Sequence, residues 1–352
     1  MELPYAYIAR TTWGAIGLSR EERECHVYLV GKSGSGKSRT LFNLAMHDIA
    51  TGDGVAVIDP HGDLAEAVAD CVPALRTNAV CYLDAGDSDF PVGFNPLANI
   101  PPERHALAAS GIVSAFKHLW RDSWGPRLEH FLFHGLMALL ATPRATLIDL
   151  PRVYTDEQFR DRAVARLQDP VATRFWVGEY PQYDAHYRAE AAGPILNKVG
   201  QLAASPSLRT ILGQCAPKFD LSYAMEHRGI LIANLAKGRI GEQAANLLGS
   251  LLVSHLQLVA MERITRRQSG GCPFSCTSTN FSRLAPIRSP HSSRKRGNSR
   301  RISASRTSLL INWTLEFARR CSATRARSWY SACLEMTRSY SPRNFIRCHP
   351  AN

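Results

Sequence analysis

The residues best able to do chemistry form one eight-residue segment near the start of the chain, at positions 31–38. The segment fits the spacing Gly-x-x-x-x-Gly-Lys-Ser, which is the Walker A pattern of a phosphate-binding loop (P-loop). Its glycines let the backbone curl so that successive N–H groups face phosphate oxygens, and a helix start adds a positive dipole. In such a loop Lys37 bridges the β- and γ-phosphates and Ser38 ligates Mg²⁺. The segment therefore predicts binding of ATP and Mg²⁺.

The sequence around this segment has the elements that a phosphate-binding loop requires. The apolar residues 26–30 predict a strand that ends at Gly31, and the helical spacing of Leu41, Leu44 and Ala45 predicts a helix that begins near Lys37. A Gly-rich turn that matched by chance would lack this context. We assign nucleotide contacts to the loop and the first helical turn, with Lys37 also as the catalytic residue: Gly31, Ser33, Gly34, Ser35, Gly36, Lys37, Ser38 and Arg39.

Hydrolysis of a nucleotide also needs carboxylates, one to hold the metal and one to orient water. Asp59 follows the apolar residues 55–58, which predict a second strand, and we predict that it ligates the metal together with Ser38. The alternative for Asp59, as for Asp63 and Asp84 at comparable positions, is a loop carboxylate or a helix cap. Up to residue 268, no predicted strand ends in Asp-Glu.

The order of strands and helices predicts an α/β fold with a mainly parallel sheet. Residues 1–100 supply three strands and the P-loop, and residues 101–226 have helical periodicity almost throughout. A strand over 229–235 and an amphipathic helix over 242–263 return the chain to the sheet. We predict an α/β sheet over 1–100 and 227–268 with an all-helical insertion over 101–226. The most apolar helical stretch, 247–261, is too short to span a bilayer. We therefore expect no membrane segment and a cytoplasmic protein.

The last quarter of the chain differs in composition from the rest. The sequence has 42 Lys and Arg against 30 Asp and Glu, a formal net charge of +12. Residues 269–352 hold 15 of these bases and only 2 of the acids, so the preceding residues are almost neutral. This distribution excludes nucleic-acid binding by basicity of the whole protein. Rich in Ser and Arg and without a periodic pattern, residues 269–352 predict a basic disordered tail.

Four segments together resemble the coupling ATPases of conjugation and type IV secretion, DNA-transfer motors related to TraD and to the HerA and FtsK helicases. They are the Walker A loop and the segments VIDPHGDL (57–64), VGFNPL (92–97) and ANLAKGRIGE (233–242). The resemblance covers about residues 10 to 268. It implies a RecA-like sheet with an inserted all-helical domain, ATP-driven movement of DNA, a homo-hexameric ring, and the secretion or conjugation machinery as partner. The expected location is the cytoplasm, either free or peripheral to the inner membrane.

The same resemblance implies a strand ending in Asp-Glu, the Walker B acids, shortly after residue 263. This chain has SCTSTNFS there, at positions 275–282. One allowed choice of codons for these residues, read from the third base, gives LYVDEFQ, and three later segments also give family-like sequence in that frame. We interpret residues 269–352 as the product of a frameshift. The chain then keeps its phosphate cradle but lacks the Walker B acids.

Two other classes of function stay open at this point. The first is a nucleotide-binding protein whose basic tail anchors nucleic acid without motor activity. The second is a P-loop enzyme of small-molecule metabolism, for which the insertion offers no convergent polar cluster. The indoles of Trp120, Trp124 and Trp176 could stack on bases or could belong to the core. Arg239 could reach a neighbour's γ-phosphate or could be an exposed loop residue.

Overall fold

In the computed structural model, the chain is described over residues 5–12, 14–24, 27–217, 219–266, 272–279 and 307–312. It begins with an antiparallel pair of strands, β1 (Tyr5–Thr11) and β2 (Gly14–Ser19), followed by the short helix α1 (Arg20–Glu24). The sequence patterns had not indicated these three elements. They precede the main sheet and pack near the start of the P-loop strand through Ala6, which is fully buried against Leu44.

The main sheet has six strands. They are β3 (Val27–Val30), β4 (Gly54–Asp59), β5 (Val80–Asp84), β6 (Ile230–Asn234), β7 (Phe274–Thr279) and β8 (Thr307–Asn312), in the order β3-β8-β7-β4-β6-β5. Strand β8 is antiparallel to both of its neighbours, while the other pairs are parallel. Five strands therefore end at the same edge of the sheet. In open α/β sheets this carboxyl edge is where ligands bind.

Successive residues of a strand point to opposite faces of the sheet, and the two faces of β4 belong to two different buried clusters. On one face, Val55 and Val57 of β4 pack with helices α2 (Lys37–Ala50) and α3 (Asp63–Asp70). On the other face, Ala56 and Ile58 join a larger cluster that includes the helical part of the chain and helix α13 (Glu242–Arg266). Both faces of β4 are thus apolar, as is typical of a central strand in a parallel sheet.

Between β5 and β6 all the described regular elements are helical. They are α4 (His105–Leu119), α5 (Pro126–Leu140), α6 (Leu150–Thr155), α7 (Glu157–Val164), α8 (Pro170–Arg174), α9 (Ala185–Ala204), α10 (Pro206–Leu212) and α11 (Leu221–Glu226), with short 3₁₀ and π turns between them. The four-residue helix α12 (Lys237–Ile240) follows β6. The fold is therefore the predicted α/β arrangement, consistent with a RecA-like sheet carrying an all-helical insertion. The exact domain boundaries stay a prediction.

Two expectations need correction. Residues from 269 onward were expected to be disordered, but 274–279 and 307–312 form strands β7 and β8 inside the sheet, and β7 is buried along its whole length. Apart from residues 272 and 273, the remainder of that tail lies outside the described residues. Helix α13 also extends beyond the predicted 242–263. Its residues 242–263 are long and apolar enough to cross a membrane, but 67 % of the apolar window is buried in the fold, as in a core helix.

Candidate nucleotide site

The predicted phosphate-binding loop connects β3 to α2 at the carboxyl edge of the sheet. Gly34 and Gly36 have φ angles of 82° and 83°, in the left-handed region that favours glycine. A Cβ placed on either residue would meet nothing within 4 Å, so space is open beside the backbone at both positions. At Gly31 a Cβ would lie 2.5 Å from Ser35 Oγ. The three glycines thus allow a curled loop with an open concave side.

Short hydrogen bonds hold the loop closed on itself. Ser35 donates through its hydroxyl to the Lys32 carbonyl at 2.8 Å, and its backbone N–H donates to the same oxygen at 3.3 Å. The Lys37 ammonium donates to the carbonyls of Gly31 at 2.7 Å and Lys32 at 2.6 Å. The positive charge of Lys37 therefore lies within the curve of the loop, where an anion would be attracted to it.

The remaining predicted nucleotide contacts lie along the same stretch. Ser33 and Ser38 are exposed, Ser38 at the second position of α2, where the helix dipole is positive. Arg39 is also exposed, and its guanidinium carbon lies 4.9 Å from the centroid of the Phe42 ring. The structure thus brings the whole predicted set into one loop and one helical turn. Their contacts with a nucleotide stay a prediction.

Asp59 lies elsewhere on the edge. It is 1 % exposed, and its carboxylate accepts backbone hydrogen bonds from His61 at 3.1 Å, Gly62 at 3.0 Å, Leu64 at 2.8 Å and Ala65 at 3.4 Å. Because two of these donors belong to the first turn of α3, Asp59 helps to cap that helix. Helix capping is the alternative role that the sequence left open for Asp59.

The sheet order also separates Asp59 from the loop. Two strands, β8 and β7, lie between β3 and β4, which puts the two strands about 14 Å apart at the usual spacing. Ser38 follows β3, and Asp59 ends β4. A metal ligand lies about 2 Å from its ion, so joint ligation by Ser38 and Asp59 requires the intervening loops to close most of that gap. The role of Asp59 as a metal ligand stays a prediction.

Strand β7, which lies nearer to the loop, ends in hydroxyl groups rather than carboxylates. Thr279 closes the strand and donates its hydroxyl hydrogen to Asp59 Oδ1 at 2.6 Å. Within the described residues, no three His, Cys, Asp or Glu side chains are grouped closely enough to hold a metal ion. The groups present near the loop therefore fit a phosphate better than they fit a complete metal site.

A polar network continues along the edge, and it connects residues of two of the family-like segments in a way that the sequence patterns did not predict. The Asn234 amide NH₂ donates to Tyr82 Oη at 3.2 Å, and its amide oxygen accepts from the Ala236 N–H at 3.0 Å. Lys237 Nζ lies 3.3 Å from His61 Nε2, and Arg239 Nη1 lies 3.6 Å from Asp84 Oδ2. Arg239 is exposed, as the second alternative expects, but it lies in the short helix α12 rather than in a loop, and it is paired with a carboxylate of the adjacent strand end.

A second buried polar group ties α1, α2 and β7 together. Arg23 Nη2 lies 2.5 Å from Asp48 Oδ1 and 2.6 Å from Asp48 Oδ2, with both side chains about 95 % buried. Ser275 of β7 also donates a hydrogen bond to Asp48. The sequence signal for this cluster was a single aspartate, Asp48, among the apolar positions of α2. Through its hydrogen bond with Ser275, Asp48 holds α2, the helix that follows the phosphate-binding loop, against strand β7 of the sheet.

No family model and no curated protein matches the chain. Among solved structures, one match is a bacterial conjugative coupling protein, TrwBΔN70 in an unbound monoclinic form, with 16 % identity and a TM-score of 0.46 over 76 % of this chain and 57 % of that one. Another is the plasmid coupling protein TrwB in complex with the non-hydrolysable ATP analogue ADPNP, with 15 % identity and a TM-score of 0.43 over 69 % and 54 %. This chain thus spans little more than half of each. Both proteins belong to the class that the sequence motifs resemble.

Proposed function

We propose that the chain binds ATP through the loop at 31–38 and derives from the DNA-transfer coupling ATPases. The observation that carries the proposal is the loop itself: two left-handed glycines beside open space, with the Lys37 ammonium held in the curve and a 14-residue helix beginning at that residue. Ammonium, helix dipole and curled backbone all favour a polyphosphate. ATP and its Mg²⁺ would be held by this loop and the Ser38 hydroxyl.

We also propose that ATP hydrolysis is slow in this chain. A bound Mg²⁺ neutralises charge that develops on the transferred phosphoryl group, and carboxylates must position that ion and the attacking water. Asp59 already accepts five hydrogen bonds, and Thr279 stands at the end of the strand nearer to the loop. The expected result is nucleotide binding with turnover reduced by orders of magnitude.

The composition of β7 supports the frameshift interpretation. The strand is buried on both faces, yet its sequence FSCTST contains four hydroxyl residues, and the Thr277 hydroxyl has no hydrogen-bond partner. Strands in such a position are usually runs of Val, Ile and Leu. The shifted reading LYVDEFQ would supply apolar residues along β7 and carboxylates at about the positions of Thr279 and Asn280. Sequencing the coding DNA around codons 268 to 276 should reveal one missing or extra base, and an intact frame there would refute the interpretation.

We also propose the partners and the location that descent from the coupling ATPases implies. They are DNA, the conjugation or secretion machinery, a homo-hexameric ring, and the cytoplasmic side of the inner membrane, either free or peripheral. Arg239 is 63 % exposed at its side chain, so a neighbouring subunit could reach it. Size-exclusion chromatography with light scattering, with and without ATP, measures whether a ring forms.

Calorimetric titration tests the nucleotide site directly. ATP and a slowly hydrolysed analogue are titrated into the wild-type chain and the Lys37→Ala variant. Loss of charge-assisted hydrogen bonds from one ammonium costs about 1.5–3 kcal/mol, so binding should weaken about 10- to 150-fold. Lys32→Ala is the matched control, because the exposed Lys32 contributes its backbone carbonyl, and not its side chain, to the contacts described above. No heat with folded wild-type protein would refute the proposal.

An ATPase assay at saturating Mg-ATP tests the second part. Wild type and Lys37→Ala should both show turnover near background. Turnover well above background that disappears in Lys37→Ala would show that the chain is a working ATPase and would overturn the proposal of slow hydrolysis.

The second candidate function is a nucleotide-binding protein that anchors nucleic acid through its basic tail. The 15 basic residues beyond residue 268 favour it. Deleting residues 313–352 removes 7 of these 15 basic residues and keeps the residues of all six strands, so it tests the part of the anchor that lies in this segment. If binding of a DNA duplex is lost and the wild-type affinity depends steeply on salt, the anchor is favoured. Unchanged DNA binding argues against it.

A further inference from the structure

A cavity lies between the helical insertion and the start of α13, and none of its lining residues belongs to the phosphate-binding loop. Its volume is about 320 Å³, near the lower end of the range of about 300–1,000 Å³ for small-molecule sites. The end of α4, the end of α9, the start of α10 and the turn before α13 form its walls. The residues that carry the argument are Trp120, Gln201, Leu202, Ile240, Glu242 and Gln243.

One wall of the cavity is aromatic and held in place from behind. Trp120 is partly exposed, and the buried Phe116 ring lies 5.2 Å from its ring, centroid to centroid, at an interplanar angle of 43°. Leu202 and Ile240 add apolar surface. A fixed indole beside apolar side chains is the arrangement on which a flat heteroaromatic ring stacks.

The rim of the cavity is polar and suited to the edge of such a ring. The amides of Gln201 and Gln243, both exposed, can each donate and accept hydrogen bonds. Glu242 adds a carboxylate acceptor. Gln pairs well with adenine, and carboxylates accept from exocyclic amines of bases. The rim therefore matches the hydrogen-bonding edge of a nucleobase.

Positive charge lies beside the aromatic wall. The Lys198 ammonium lies 5.8 Å from the centroid of the Trp120 ring, and the Lys198 residue is only 7 % exposed. Burial lowers the pKa of Lys198, since its ammonium is desolvated. Among the described residues, no carboxylate forms an ion pair with it. Lys198 is buried and does not line the cavity, so it would attract an anionic backbone there only by longer-range electrostatics.

We propose that this cavity binds a nucleobase of a single-stranded nucleic acid, which stacks on Trp120 while Gln201 and Gln243 contact its edge. This inference rests on the proposed function in one respect, which is that nucleic acid is a partner of the chain. It shares no residue with the ATP site.

The test is fluorescence anisotropy with labelled single-stranded dA12 and dT12 and a 12-base-pair duplex, on the full chain without ATP. Stacking on an aromatic side chain is worth a factor of about 5 to 150 per base, so Trp120→Ala should weaken single-strand binding by that factor. Trp120→Phe should restore most of it. Trp124→Ala is the control, because the Trp124 indole donates to Glu129 at 2.7 Å and does not line the cavity.

A second variant keeps the test valid if Trp120→Ala fails to fold. Gln243 is exposed in the first turn of α13, so Gln243→Ala should fold normally and should change the ratio of the dA12 and dT12 affinities. Absence of single-strand binding by the wild type, equal binding of duplex, or affinities that neither variant alters would overturn the proposal. Lys37→Ala should leave oligonucleotide binding unchanged while ATP binding weakens about 10- to 150-fold, so the two proposals can fail separately.

Discussion

Replacement of Thr277 by valine is expected to stabilise the protein. Thr277 is at the centre of β7, is 0 % exposed, and its Oγ1 atom has no hydrogen-bond partner. Valine has nearly the same shape, suits a strand at least as well, and puts a methyl group where the hydroxyl is. The substitution removes a buried polar group without opening a cavity.

The size of the effect follows from the cost of burying a hydroxyl. A buried polar group without a partner costs about 1–3 kcal/mol, so we expect Thr277→Val to raise the free energy of unfolding by about 1–2 kcal/mol. For a folded region of this size, that change corresponds to a rise in Tm of about 2–4 °C.

Thr279→Val is the matched control on the same strand. The Thr279 hydroxyl is also buried, but it donates to Asp59 Oδ1 at 2.6 Å. Loss of a hydrogen bond to a carboxylate costs about 1.5–3 kcal/mol, so this variant should be less stable than wild type.

Urea unfolding followed by circular dichroism, with calorimetric Tm as a second measure, compares the two variants. The m-value should not change, because neither substitution alters the surface exposed on unfolding. If both variants are destabilised, or if Thr277→Val has no effect, the hydroxyl of Thr277 has a partner and the reasoning about β7 is refuted.

Three further substitutions test other parts of the structure. Asp59→Ala should lower the free energy of unfolding by about 2–4 kcal/mol in urea unfolding, because four backbone donors and Thr279 lose their acceptor. Arg23→Met should cost about 3–5 kcal/mol by the same measurement, since it leaves the Asp48 carboxylate buried without its cation. Burial lowers the pKa of His134 from 6.5 to about 4, so the unfolded chain binds more protons than the folded chain between these values, and stability falls as the pH drops from 6.5 towards 4. His134→Phe should reduce that loss by about 1–3 kcal/mol in unfolding curves at pH 7 and pH 5.

The first half of the sheet could be predicted from the sequence because its signals are local. Apolar runs ending in Gly31 and Asp59 mark β3 and β4, and the inner face of α2 follows from the spacing of Leu41, Leu44 and Ala45, each fully buried. The helical periodicity predicted for 101–226 corresponds to a run of helices, of which α4, α5, α7 and α9 are the longest four. Such signals depend on residues close in sequence, where periodicity is informative.

The strands that no local pattern predicts owe their place to distant contacts, although the family resemblance did imply a strand near β7. Strand β7 has no apolar alternation, and it is in the sheet because β4 and β8 pair with it on either side. The network around Asn234 likewise joins β6 to β4 and β5, from which the whole insertion separates it in sequence. No local pattern reports such a contact, since tertiary pairing overrides propensity in strands.

Asp59 occupies a sequence position that suits two roles. Its place after an apolar strand is compatible with a metal ligand and with a helix cap, because both need an acceptor at the carboxyl edge. In the structure its carboxylate accepts from the first turn of α3, and its role as a metal ligand stays a prediction. In the strand order β4 lies three positions from β3, whereas β7 lies only two, so a side chain at the end of β7 is nearer to the phosphate-binding loop. That position carries Thr279, whose hydroxyl donates to Asp59. This hydrogen bond between the two side chains connects β7 to β4.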